Sequence, residues 1–271
     1  MIFFDSHVHY DDPRFDADRD ELLRLLPERG IRLALDPGSD LPSSERAAAL
    51  AERWPFLYAA AGVHPHEAKS WDGDSERRLR ELLRRPKVRA LGEIGLDFHY
   101  DLSERSVQAD VFRRQLAIAS ELDVPVIIHS REASELTLEI LSEFPARGVV
   151  HCFSGSAETA KELLRAGWHI GFTGAVTFKN ARKPVEAAAV VPLDRLLIET
   201  DGPYMAPVPC RGQRCDSTLL PYTAAKLAEV KVVTPEEIAR ATMENALRVY
   251  RITQEEARAS GALPSQEGTE E

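Results

Sequence analysis

The chain has 271 residues, 44% hydrophobic and 29% charged, with a formal net charge of −10. This is an ordinary globular composition: no apolar run approaches the roughly 18 residues that cross a bilayer, and the N-terminus lacks a secretory signal pattern. The acidic balance argues against coating long duplexes through phosphate neutralisation, and three cysteines (Cys152, Cys210, Cys215) are too few for a disulfide framework, so the cytoplasm is the expected compartment.

In chain order, the pattern is strand then helix, repeated. Met1-Ile2-Phe3-Phe4 enters a first strand that closes on Asp5-Ser6-His7-Val8-His9. Residues two apart on a strand share a face, so His7 and His9 are expected to converge. An amphipathic helix is predicted over 16–29, a strand over 31–35 and a helix over 42–54 beginning near Ser43 or Ser44. A third strand over 56–63 runs into Gly62-Val63-His64-Pro65-His66. A helix follows at 75–85, then a fourth strand at 88–94 ending in Gly92-Glu93-Ile94-Gly95-Leu96-Asp97. The rest alternates as helix 104–122, strand 124–129, helix 132–144, strand 148–151, helix 157–166, strand 168–172, helix 183–191 and strand 195–201. Helices at 219–230 and 235–250 end the pattern. Eight strands alternating with helices predict an α/β fold, a (β/α)8 TIM barrel over residues 1–252. The acidic segment 253–271 is predicted to be a disordered tail, with order lost from Ala257 onward.

The chemistry-bearing residues fall at strand ends. His7 and His9 end the first strand, His64 and His66 follow the third, Glu93 ends the fourth, His129 the fifth, His151 the sixth and Asp201 the eighth. Those are C-terminal ends, the face on which TIM-barrel enzymes build active sites. Seven of the eight histidines lie there once His99 is included. One such histidine is ordinarily a satisfied polar residue, whereas five strands contributing together point to metal. Four His with Glu93 and Asp201 exceed the needs of one tetrahedral site, so two divalent ions (Mg, Mn or Zn) are expected. Glu93 is placed to bridge them, and Asp201 to orient a two-metal-activated water or take its proton. Cys152 is expected to be a small packed residue.

Six segments in order then resemble the TatD family of metal-dependent deoxyribonucleases: Ser6-His7-Val8-His9, Gly62–His66, Gly92–Asp97, Ile128-His129-Ser130-Arg131, His151-Cys152-Phe153-Ser154-Gly155 and Glu199-Thr200-Asp201-Gly202-Pro203-Tyr204. The resemblance spans about residues 1–250. It implies an amidohydrolase-type barrel with a binuclear centre held by His7, His9, Glu93, His129, His151 and Asp201, and hydrolysis of phosphodiester bonds, commonly from a 3′ end. The expected partner is therefore DNA, mainly single-stranded or at 3′ ends, with no membrane and no protein partner implied. His64 and His66 are candidate contacts to substrate phosphate or an additional metal, and Arg131 and Arg211 candidate phosphate grips. One loop departs from the family pattern of Arg-Gly-Lys, a variable residue, then Asn-Glu: here it reads Arg211-Gly212-Gln213-Arg214-Cys215-Asp216, so the Lys charge and the Asn amide are lost. Cys210 and Cys215 are expected to be free thiols. The competing readings are a two-metal hydrolase of esters, lactones or amides, and a non-catalytic metal-binding barrel.

Overall fold

The computed structural model describes residues 1–263. Eight parallel strands lie in sequence order in one sheet: β1 (Phe3–Asp5), β2 (Ile31–Pro37), β3 (Leu57–Ala61), β4 (Val88–Asp97), β5 (Val126–Arg131), β6 (Gly148–Val150), β7 (His169–Phe172) and β8 (Leu196–Ile198). Helices α1 (Arg19–Leu25), α2 (Leu41–Arg53), α3 (Ser75–Leu82), α4 (Arg105–Leu122), α5 (Ser134–Ser142), α6 (Ala157–Arg165), α7 (Arg182–Val190), α8 (Leu220–Lys231) and α9 (Pro235–Val249) follow the strands. The fold is the expected (β/α)8 barrel. Its strands are apolar on both faces, because one side fills the barrel and the other meets the helices.

The ring closes without a regular β8–β1 ladder. Ser6 N donates to Ile198 O (3.2 Å) and Asp201 N to His7 O (2.9 Å). The fully buried Asp5 carboxylate reinforces this seam by accepting from Thr200 N (3.0 Å), Thr200 Oγ1 (2.5 Å) and Ser217 Oγ (2.6 Å). Burial nevertheless lifts Asp5 to about 6, with the Ser217 and Thr200 hydrogen bonds pulling the other way.

Several expected boundaries shift for local reasons. The first helix is cut to seven residues because Pro27 ends it and Pro13 opens a separate 3-10 turn before it. Helix α2 starts at Leu41 rather than at Ser43 or Ser44. Asp40 caps it, with Ser43 returning the bond in a capping box. Strands β4 and β5 run three and two residues further than expected, so Glu93 and His129 lie inside their strands. Their extended pairing includes Leu96 with Ser130 and Asp97 with Arg131. Gly95 permits that pairing: its φ is +141°, and a Cβ there would fall 1.9 Å from His129 O.

The predicted disorder from Ala257 is corrected. Gln254–Ala259 forms a tenth helix, α10, capped by Thr253 and Glu256. Ala257 and Ala262 are buried, and Glu256 pairs with Arg89 on β4. Acidity alone suggested a solvated tail, but Thr253-x-x-Glu256 is a capping-box signal. Residues 264–271 lie outside the described residues.

Asp5→Ala leaves the backbone N–H groups of Thr200 and His7 and two hydroxyls without their acceptor at the barrel seam. A loss of about 3 kcal/mol is expected in urea unfolding at pH 7. A variant within about 0.5 kcal/mol of the parent would show that the seam does not depend on Asp5.

Candidate metal centre

Strand β1 stops at Asp5, so His7 and His9 do not converge through strand geometry as expected. Instead the segment after β1 is held from both sides: Ser6 N bonds β8, Val8 N bonds Leu35 O on β2 (3.0 Å), and His9 N bonds Gly202 O (2.7 Å). The outcome is the same. His7 Nε2 and His9 Nε2 stand 3.2 Å apart.

Glu93 is the centre of the cluster. Its Oε2 lies 3.3 Å from His7 Nε2 and 3.7 Å from His9 Nε2, with Asp201 Oδ1 3.8 and 3.5 Å from the same two nitrogens. Its Oε1 lies 2.6 Å from His151 Nε2, 2.8 Å from His129 Nδ1 and 3.4 Å from His64 Nε2. Each carboxylate oxygen thus faces its own set of donors. The His7 and His151 rings stack at 3.9 Å between the two sets.

Neighbouring groups aim these donors. Pro37 O takes His9 Nδ1 (3.0 Å). Asp97, which closes the Gly92–Asp97 motif with no expected role of its own, accepts from His129 Nε2 (3.0 Å) and His66 Nε2 (2.9 Å). Helix α4 steadies two of the loops: Gln115 bonds both N–H and C=O of Val63, beside His64, and Gln108 bonds both N–H and C=O of Asp97. Such partners fix ring orientation and ligand basicity at metal sites. Glu199, also without an assigned role, is fully buried 3.7 Å from His151 Nδ1, and burial raises it to about 7. Its only signal in sequence was adjacency to Thr200-Asp201.

The electrostatics follow from burial and mutual charge. Burial raises Glu93, but His151, His64 and His7 outweigh it and hold Glu93 well below the usual carboxylate range. Burial and the facing His151 push His7 down to about 3, and burial takes His64 down to about 4. His9 and His129 are also desolvated, yet Asp201 and Glu93 lift His9 to about 10, and Asp97 with Glu93 lifts His129 to about 9. Asp201 is raised by burial and lowered by more through the hydrogen bond from His9, ending below its ordinary value.

The donor set fits divalent cations. Nitrogen faces nitrogen at 3.2 Å between His7 and His9 and at 3.4 Å between His129 and His151. Buried Nδ1 atoms of His7 and His151 have no hydrogen-bond partner. Three groups, His7–His9–Asp201, His7–Glu93–His151 and His64–Glu93–His129, each bring three ligand atoms within 4.8 Å of one another. Mixed imidazole and carboxylate donors suit Zn, Mn and similar ions.

All six expected ligands, His7, His9, Glu93, His129, His151 and Asp201, are brought together, and His64 joins them as a donor. His66 stands one step out, on Asp97. Arg131 lies at the rim with its guanidinium 4.7 Å from the Tyr100 ring, and Glu132, its possible ion-pair partner, bonds His99 instead (2.8 Å). Arg211 is not brought to the cluster: it is exposed and stacks 3.7 Å from the Phe178 ring. All three cysteines are free thiols, with Cys215 buried against Thr200 O and Cys152 packed 3.6 Å from Thr173 Oγ1.

Comparison with known proteins places the chain in a family. The family model described as TatD related DNase matches residues 4–251. A metal-dependent hydrolase of Bacillus subtilis, YabD, is 42% identical over 254 residues, covering 93% of this chain and all of the relative. The 3′-5′ ssDNA/RNA exonuclease TatD of Erwinia billingiae is 36% identical over 260 residues, covering 92% and 99%. The crystal structure of YJJV, a TatD homologue from Escherichia coli, superposes with a TM-score of 0.87 at 33% identity, covering 93% and 98%. The chain belongs to the TatD-related DNase family.

Proposed function

We propose that this protein is a metal-dependent 3′–5′ exonuclease acting on single-stranded or frayed DNA ends, with two divalent ions shared through Glu93. The observation that carries the reading is the division of Glu93, one oxygen facing His7, His9 and Asp201 and the other facing His151, His129 and His64. Ions bound there supply charge stabilisation of a phosphodiester oxygen and acidify a water.

The chain's own residues supply the rest. Asp201 takes the proton-accepting role in this reading; its side chain, 14% exposed against 4% for Glu93, is the more open of the two to water. Its backbone position is set by the bond from its N–H to His7 O and by a left-handed φ of 54°. Arg131 has no carboxylate partner among the described residues, which leaves its planar fork available to a phosphate. Arg211, on the loop after β8, contributes positive charge further from the cluster. No helix among the described residues is long and apolar enough to cross a membrane, and the free thiols support a cytoplasmic setting.

Metal-stripped protein should leave a 5′-labelled single-stranded oligonucleotide intact, and adding back Mg, Mn or Zn should produce a ladder shortening from the 3′ end. Internal cuts without a ladder would overturn the exonuclease mode; no cleavage with any ion would overturn the nuclease reading. Asp201→Asn should keep the fold by circular dichroism and slow turnover by about 100-fold or more; near-parental rates would remove Asp201 from the proton-accepting role.

A pH dependence follows from the raised histidines. Without metal, His9 and His129 keep their protons to about pH 10 and 9, above the ordinary 6.5. Their contribution to stability is therefore fully present below pH 6.5 and lost as pH rises through those values. Metal binding needs them deprotonated, so affinity strengthens over the same range. The melting-temperature gap between metal-loaded and metal-stripped protein is expected to widen from pH 6.5 to 9. A constant or narrowing gap would count against His9 and His129 as ligands.

A further inference from the structure

Three aromatic side chains are strongly exposed: Tyr100 (53%), Tyr204 (49%) and Tyr222 (43%). Two of the three stand at the metal cluster. Tyr100 follows β4 and meets the His66 ring edge-on at 5.5 Å, and His66 shares Asp97 with the donor His129. Tyr204 follows β8, and its N–H donates to Asp201 O (2.9 Å). Strands β4 and β8 are four places apart in a ring of eight, so the two tyrosines flank the cluster from opposite sides.

Each ring is backed by a guanidinium. Arg131 lies 4.7 Å from the Tyr100 centroid and Arg14 lies 4.0 Å from that of Tyr204. Cation–π packing uses one face of a ring. About half of each side chain stays in water, which costs hydrophobic free energy unless a flat partner covers it. Beside Tyr204 is a recess of about 200 Å³ lined by His9, Asp11, Asp12, Ser39 and Asp40. Arg46 lines it too and pairs with Asp11 (3.1 Å), while Asp12 holds Arg14 and Asp40 holds Ser43 N, so the recess is polar and offers carboxylate lone pairs to the amino and imino edges of a nucleobase.

We propose that Tyr100 and Tyr204 are base-stacking platforms, one on each side of the metal cluster, holding the two nucleobases that flank the scissile phosphate of a single strand. The inference rests on the nuclease reading above and adds what makes the substrate single-stranded. Bases splayed onto two opposed rings cannot remain stacked on each other or paired in a duplex. Stacking on an aromatic face needs no particular base, so the preference is for strand state rather than sequence.

The test is a cycle between protein and substrate, run on the metal-loaded protein. Tyr100→Ala and Tyr204→Ala are each expected to raise KM for an oligothymidylate about tenfold. Phe at the same positions keeps the ring and restores the parental KM. When an abasic spacer replaces one of the two 3′-terminal nucleotides, the Ala variant whose platform served that base should raise KM less than about twofold, because the contact is already gone. Equal effects on full and spacer substrates, or unchanged KM in both Ala variants while the parent cleaves DNA, would overturn the platforms and leave the nuclease reading intact. A parent that cleaves no oligonucleotide would bring down the nuclease reading and this inference with it.

Discussion

One carboxylate, Glu93, lets five imidazoles share a buried space at the barrel mouth. His7, His9, His64, His129 and His151 all come within 3.7 Å of it. Desolvating that many ionisable groups is costly unless opposite charges and hydrogen bonds meet each of them. The metal-free arrangement achieves this with protons: His9 and His129 stay charged beside Asp201, Asp97 and Glu93, while His7 and His64 are forced neutral. Divalent ions bound among these donors would replace those protons with positive charge of their own. The Nδ1 atoms of His7 and His151 remain buried with no hydrogen-bond partner.

The barrel supports the cluster by locking the segments that carry it. The seam between β8 and β1 is where His7 and Asp201 meet, through Asp201 N to His7 O, and Asp5 ties both sides of it to Ser217 on the segment leading into α8. On the opposite side of the ring, two buried glutamines of α4 grip the backbone of Val63 and Asp97. Side chains positioned from separate strands are held this way to tolerances a mobile loop could not give.

The loop that departs from the family pattern is rebuilt rather than left loose. Arg214 forms a two-pronged pair with Asp18 at 2.7 and 2.6 Å, and its guanidinium lies 4.6 Å from the Phe15 ring. Cys215 is buried with its N–H on Pro203 O, and Asp216 caps the turn that brings Ser217 to Asp5. Gln213 and Cys215 replace a charge and an amide with a neutral side chain and a buried thiol. Arg131, Arg14 and Arg211 are each stacked on an aromatic ring, Arg211 away from the cluster on Phe178.

The period of apolar runs and their eightfold recurrence determined the barrel, because strands buried on both faces and helices buried on one leave distinct local patterns. The six candidate ligand positions were legible for the same reason, since chain alternation carries strand-end residues to one face. Tertiary structure decided what local pattern does not encode. It turned His64 toward Glu93, made Asp97 the shared partner of His66 and His129, and sent Arg211 to Phe178 instead of the cluster. It also set the convergence of His7 and His9, which depends on hydrogen bonds from β8 and β2 to a segment that had already left its strand. Those outcomes join residues from 27 (Val8 and Leu35) to 193 (His9 and Gly202) positions apart, and only the closed ring brings such groups into contact.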